Sequence, residues 1–97
     1  MLHTVTQSPF HSHSLTQCLQ FICPGDEILL LEDAVIVALS ENIYFDLIKN
    51  IGVKIYLLEA DIIARGLQDK CDKDLDVIDY KGFVLLTEQH DQHMRWA

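Results

Sequence analysis

Four consecutive large aliphatics, Ile28-Leu29-Leu30-Leu31, stand between Gly25-Asp26-Glu27 and Glu32-Asp33, and a second apolar run, Ala34 to Leu39, follows at once. The first run is too short for a membrane span and is bounded by a turn signal on one side and acids on the other. That is the pattern of a strand covered on both faces, and it reads as a central strand of a parallel sheet. Parallel neighbours cannot be joined by a hairpin; they need crossovers of about a dozen residues or more, usually helical. The chain on either side supplies periodic segments of that length, so the expected architecture is repeated strand, turn and helix.

Leu2 to Thr6 alternates apolar and polar and is rich in β-branched residues, so it reads as the first strand, ended by Ser8-Pro9. His11 to Ser14 is polar, with Ser12 or Ser14 available as an N-cap. Leu15, Cys18, Leu19 and Ile22 then keep helical spacing up to Pro24-Gly25. Glu27 to Leu31 is the second strand. Ala34 to Leu39 has no polar face, and a helix of that kind is either deeply buried or covered by another chain; partner contact is expected for part of it and for part of the Tyr44 to Ile51 segment. Ser40-Glu41-Asn42 breaks the pattern, Tyr44, Leu47, Ile48 and Ile51 mark the next helix, and Val53 to Leu58 is the third strand. Ala60, Ile63, Ala64 and Leu67 mark a helix with Glu59 and Asp61 in its first turn and Arg65-Gly66 at its end, the placement the helix dipole prefers. After the charged loop Gln68 to Asp74, Leu75 to Ile78 is a short fourth strand. Asp79 caps a last helix with Tyr80, Phe83, Val84 and Thr87 inward, and Met94 to Trp96 is a fifth, edge strand. The fold class is α/β, a flavodoxin- or Rossmann-like, mostly parallel sheet of four to five strands with helices on both faces.

With 97 residues there is room for one domain, and the 49% hydrophobic content is enough for its core. Lys and Arg number 7 against 15 Asp and Glu, a net charge of -8, and the basic residues are scattered. Gripping a phosphate backbone takes clustered Lys and Arg, so direct nucleic-acid binding is not expected. An acidic balance suits a soluble protein or one with a basic partner. Met1 to His13 has no basic head leading into an apolar stretch, so neither a secretion signal nor a membrane segment is expected. Three cysteines, Cys18, Cys23 and Cys71, do not make a disulfide framework and fit a reducing cytoplasm.

Each reactive residue type has a mundane reading beside a chemical one. Cys18 lies on the apolar stripe of the first helix, where burial would raise its pKa. Cys23 ends that helix as a packing or loop residue, and Cys71, among Asp69, Lys70, Asp72 and Lys73, reads as a solvated thiol without a role. His11 and His13, His90 and His93, and Cys18 and Cys23 are pairs of potential metal ligands. None has the paired spacing of a structural zinc site, so no metal is expected and the histidines read as surface residues. The first strand-to-helix turn, Thr6 to Ser14, contains no glycine, which excludes a dinucleotide fingerprint or P-loop there. Glu32-Asp33 and Glu59-Ala60-Asp61 would repel phosphate. They could bind Mg²⁺ as in receiver-like domains, but no lysine stands opposite them, and they read as helix caps; no cofactor is expected.

Beyond pattern, particular residues carry a resemblance. Met1-Leu2-His3-Thr4 with Ser8-Pro9-Phe10, the segment from Gly25-Asp26 to Glu32-Asp33, Tyr56-Leu57-Leu58 with Asp61 and Ala64-Arg65-Gly66, and Asp79-Tyr80 with Phe83-Val84, Leu86-Thr87 and Trp96 together resemble the TusB/DsrH family over essentially the whole chain. The resemblance implies a DsrE-like sheet and membership of a heterohexamer, two copies each of this chain, a TusC-like and a TusD-like subunit. That complex receives persulfide sulfur from TusA and passes it to TusE on the route to the 2-thiouridine of the tRNA wobble position, or, in the Dsr version, works in sulfur oxidation.

In TusD/DsrE subunits the sulfur-bearing cysteine lies at a strand end before a helix closing in Arg-Gly. Counting back from Arg65-Gly66, the position here is Leu58, followed by Glu59 and Asp61. An aliphatic side chain cannot carry sulfur, so the resemblance implies a non-catalytic member. Cys18 occupies a place like that of a first-helix cysteine in DsrH-type members, which makes it the one candidate persulfide carrier. A small phosphate- or Mg²⁺-binding flavodoxin-like module is the other alternative.

Overall fold

The computed structural model describes residues 1–39, 42–72 and 75–96. Ser40 and Glu41 of the expected pattern break Ser40-Glu41-Asn42, and the end of the charged loop, Lys73 and Asp74, lie outside the described residues. Five strands, β1 (Leu2–Val5), β2 (Glu27–Leu30), β3 (Lys54–Leu58), β4 (Asp76–Ile78) and β5 (His93–Trp96), form one sheet in the order β4-β3-β2-β1-β5. Every neighbouring pair is parallel, and the aliphatic strand β2 sits in the middle, as its two-sided burial requires.

The crossovers are α1 (Ser14–Phe21), a 3-10 helix (Glu32–Ala38) followed by α2 (Ile43–Lys49), α3 (Glu59–Ala64) and α4 (Tyr80–Gln89). Side-chain caps mark the starts of two of them: Asn42 Oδ1 accepts the Phe45 amide at 2.9 Å, and Asp79 Oδ1 the Gly82 amide at 2.9 Å. The N-cap of α1 is His13 and not Ser12 or Ser14, and its side chain makes no capping bond; Ser12 Oγ accepts the Ser14 amide at 3.1 Å from just outside the helix.

Register divides the strand side chains between two cores. Val5, Ile28, Leu30, Ile55 and Leu57 point to one face, where they pack with Leu15 and Cys18 of α1, the 3-10 helix, Ile48 of α2 and Ile62 of α3. Leu2 and Leu29 point to the other, where Leu86 and Phe83 of α4 close a smaller cluster together with Tyr56 and Ile78. Burial of these aliphatics is the main stabilising contribution, at roughly 25 cal/mol per Å² of apolar surface removed from water.

Three further expectations are corrected. Ala34, Val35, Val37 and Ala38 are fully buried within this chain, so a partner does not cover them. They follow the central strand directly and cross the middle of the sheet, where the chain's own Leu39–Cys71 bridge and the Asp72 amide, bonded to the Ala38 carbonyl at 3.0 Å, close over them. Second, the inner stripe of α4 is Gly82, Phe83 and Leu86, while Tyr80 and Val84 are exposed. The cause is Gly82, whose missing side chain lets the helix lie against Ile78: a Cβ there would come within 2.8 Å of the Ile78 Cβ. Third, Cys71 is half-buried against the main core, where it would be screened from solvent reagents. No described helix is long and apolar enough to cross a membrane.

Candidate functional site

In an open parallel sheet, ligands and reactive groups collect where the strands end in loops at their carboxyl edge. Leu58 ends β3 there and is the residue that precedes α3; its side chain is only 3% exposed. Glu59 and Asp61 lie in the first turn of α3, in the half-exposed rim beyond it.

The acids of this rim are already engaged. Asp61 Oδ2 accepts the backbone N–H of Glu32 at 2.7 Å, and Glu32 is the one non-glycine residue with positive φ (52°) among those described. A residue held in that left-handed region is strained by about 1 kcal/mol or more, and the carboxylate across the loop holds it there. Arg65 donates to Asp33 Oδ1 from Nη2 at 2.8 Å and from Nε at 3.2 Å, and its Nη1 lies 3.6 Å from Asp61 Oδ1. Arg65 thus ties the start of the 3-10 helix to the end of α3. Next to it lies a cavity of about 410 Å³ lined by Ser8, His11, Asp33, Ile36, Arg65 and Leu67. None of the residues lining this cavity is a cysteine, and the carboxylates of the rim would disfavour a thiolate placed beside them.

Cys18, the candidate persulfide carrier, faces the main core and has no exposed surface. Burial, reinforced by the negative charge of Asp26, pushes its thiol up to about 12. A thiol at that value is almost wholly protonated near neutrality and is a poor nucleophile. Cys23 is exposed, its Sγ 3.7 Å from the Phe21 carbonyl, so one member of this cysteine pair is in the core and the other on the surface. Burial also raises the pKa of Cys71.

Two histidine–carboxylate constellations that the sequence patterns did not reveal lie at the opposite, amino edge of the sheet. His3 is 1% exposed; its Nε2 donates to Asp26 Oδ2 at 2.9 Å and its Nδ1 accepts the indole N–H of Trp96 at 3.1 Å. Asp26 also receives the Cys23 amide at 3.0 Å and the terminal ammonium at 3.1 Å. Burial opposes its ionisation, but these donors outweigh it and hold the carboxyl at about 2. On the other face Glu27 receives His90 Nε2 at 2.7 Å and the Tyr56 hydroxyl at 2.9 Å. Against the opposing effect of burial, these bonds and the charges of His90 and Lys54 lower the Glu27 pKa, while burial and the bond to Glu27 push the Tyr56 phenol up to about 12. Adjacent acids on one strand start each hold a histidine, on opposite faces. The signal available in the sequence was the alternation that sends Asp26 and Glu27 to different sides of β2, which becomes useful only once the register with His3 is known.

His93 Nε2 lies 3.0 Å from the Thr87 carbonyl and 2.9 Å from that of His90, so the His90–His93 pair serves the turn into β5. Among the described residues no three His, Cys, Asp or Glu side chains are grouped so as to hold a metal ion.

A family model described as "DsrH like protein" matches residues 7–93. Over 96 residues the chain is 41% identical to "Protein TusB" of Escherichia coli (strain K12), covering 99% of this chain and 100% of that protein, and it is equally similar to the protein of the same name from Escherichia coli O1:K1. Among solved structures, the ychN protein from E. coli superposes with a TM-score of 0.77 at 16% identity, over 97% of each chain. Protein Tm0979 from Thermotoga maritima does so with a TM-score of 0.67 at 22% identity, over 95% of this chain and 97% of its own. The last two likenesses concern the fold alone; the family match and the full-length identity go further, and the chain belongs to the DsrH/TusB family.

Proposed function

We propose that this chain is a non-catalytic subunit of a cytoplasmic persulfide-relay complex serving 2-thiouridine formation at the tRNA wobble position. It assembles with TusC-like and TusD-like subunits, two copies of each chain, in a complex that takes sulfur from TusA and delivers it to TusE. The sulfane sulfur moves when an acceptor thiolate attacks the terminal sulfur of a persulfide and the donor leaves as its thiolate. Every such step needs an accessible thiolate at the carrier.

The observation that carries this reading is the state of the two places where a carrier would stand. Leu58 fills the end of β3 with a buried aliphatic group, and Cys18 is fully buried with a thiol near 12. What the chain offers instead is shape and surface. Leu47 and Ile43 on the outer side of α2 and Phe10, packed edge-on against Tyr44 at 5.2 Å between ring centres, are exposed apolar groups suited to a sister subunit. With the 3-10 helix covered by its own chain, the α2 segment is the part of the expected contact that remains exposed.

The test uses the reconstituted complex with Cys18→Ala, Cys23→Ser and Cys71→Ser combined in this chain. Sulfur transfer from loaded TusA-like donor to TusE-like acceptor, followed by intact mass, should proceed at the unaltered rate. Loss of transfer in a complex that still assembles, or a persulfide mass on Cys18 of the unaltered complex, would show that this subunit carries sulfur itself.

A further inference from the structure

The outer side of α4 has no covering within the chain. Tyr80, Val84 and Leu85 are each more than half exposed, and with Lys81 and Glu88 they line an open groove of about 490 Å³. Lys81, Val84, Leu85 and Glu88 are spaced i, i+3, i+4 and i+7, which makes one stripe along the helix, apolar in the middle, positive at its start and negative at its end. Neither Lys81 nor Glu88 has an ion-pair partner among the described residues.

This stripe is its own complement under a two-fold rotation. With the axis between Val84 and Leu85 and two α4 helices antiparallel, Val84 of each copy meets Leu85 of the other, and Lys81 of each copy meets Glu88 of the other. Tyr80 then faces Gln89, a hydroxyl against an amide. The charges lie about 10 Å apart along each helix axis, and helices packed through small aliphatic centres approach to about 8–10 Å, so the two ion pairs close on either side of the apolar contact. A closed isologous contact needs one self-complementary patch of this kind. A parallel arrangement would instead set Lys81 against Lys81.

We infer that α4 is a homotypic contact through which two copies of this chain pair antiparallel about a two-fold axis. The inference deepens the proposed role, in which each assembly contains the chain twice, and it rests on that reading only for its biological setting. The α2 surface offered to sister subunits packs on the large core and α4 on the small one, so the two contacts occupy opposite faces of the sheet. A single helix face is a small interface, well under the roughly 800 Å² per partner of a standard complex, so the isolated chain should pair weakly and the rest of the assembly should strengthen the contact.

Sedimentation of the isolated full-length chain over a concentration series tests this directly. The unaltered chain should approach a dimer at high concentration. Leu85→Glu should abolish pairing, and Lys81→Glu or Glu88→Lys alone should raise the dissociation constant at least about tenfold by opposing like charges, while the double reversal Lys81→Glu with Glu88→Lys should restore it. All three positions are on the surface, and circular dichroism checks that each variant is folded. A chain that stays monomeric, a dimer indifferent to Leu85→Glu, or a double reversal that does not restore pairing would overturn the inference. Capture of TusC-like and TusD-like chains is read separately. If Leu85→Glu abolishes that capture and the isolated chain is monomeric, α4 belongs to a sister subunit and the homotypic contact is wrong, while the subunit role stands.

Discussion

The indole N–H of Trp96 donates to Nδ1 of His3 across 3.1 Å, fastening the last strand to the first through a histidine whose two ring nitrogens do opposite work. Trp can only donate, so Nδ1 must be bare, and ionised Asp26 can only accept, so Nε2 must carry the proton. One neutral tautomer of His3 satisfies both neighbours.

Replacing either end of this bond should therefore have unequal effects. Trp96→Phe replaces the indole by a smaller ring and leaves one buried acceptor, His3 Nδ1, without its donor, an expected loss of about 1–2 kcal/mol, whereas His3→Leu leaves both the indole N–H and an Asp26 oxygen short of a partner and should cost about 2–4 kcal/mol. Urea unfolding followed by far-ultraviolet dichroism would rank the two variants.

Asp26 predicts how the protein responds to acid. Its folded pKa of about 2 lies below the ordinary 3.8, so the ionised carboxylate favours the folded state. That contribution is complete above about pH 4 and is lost as the pH falls from about 4 towards 2, where the folded form must also take up the proton. Unfolding midpoints should drop through this window, and Asp26→Asn should be less stable at neutral pH and flatter below pH 4. Glu27, also lowered, adds to the slope in the same direction.

The three thiols should react in order of access. In the native protein a pulse of iodoacetamide should label Cys23 first, Cys71 more slowly and Cys18 only after unfolding, because Cys18 combines full burial with a thiol near 12. Peptide masses after short and long pulses give the order directly.

Gly82→Ala sets two effects against each other. An alanine in the interior of a helix is favoured over glycine by about 1 kcal/mol, yet its Cβ would stand 2.8 Å from the Ile78 Cβ, an atom fixed to the backbone. Overpacking of this kind typically costs about 1–3 kcal/mol, so the variant should be destabilised and α4 displaced from the sheet. Thermal melts of Gly82→Ala beside Gly82→Ser would test whether strain grows with side-chain size.

Asp61→Ala should loosen the carboxyl rim. It removes the acceptor for the Glu32 amide while Glu32 remains at positive φ, and a loss of about 1–2 kcal/mol is expected. Adding Glu32→Gly should recover part of that loss, since glycine occupies the left-handed region without steric strain. Chemical denaturation of the single and double variants provides the comparison.

What was legible in the sequence follows from which interactions are local. The central place of β2 was readable because four successive aliphatics have to be covered on both sides, and the start of α4 because Asp79 caps within three residues. The rotation of α4 was not readable. Tyr80 and Val84 fit the helical period as well as Phe83 and Leu86 do, and the choice is made by the close approach of Gly82 to Ile78 from the preceding strand. The burial of Ala34 to Ala38 depends on the loop around Cys71 closing over it, and the His3–Asp26–Trp96 chain joins residues 93 positions apart. At the carboxyl edge, attention fell on Leu58 only through the family resemblance, and the Asp61–Glu32 bond needed the three-dimensional path of the loop.

β1 and β5, the first and last strands, lie side by side. The flank of β1 away from β2 is filled only by the strand that lies furthest from it along the described chain. Without β5, β1 would present an open row of backbone donors and acceptors, the kind of edge that recruits stray strands. Damage to β5 alone should therefore make the protein self-associate before it unfolds.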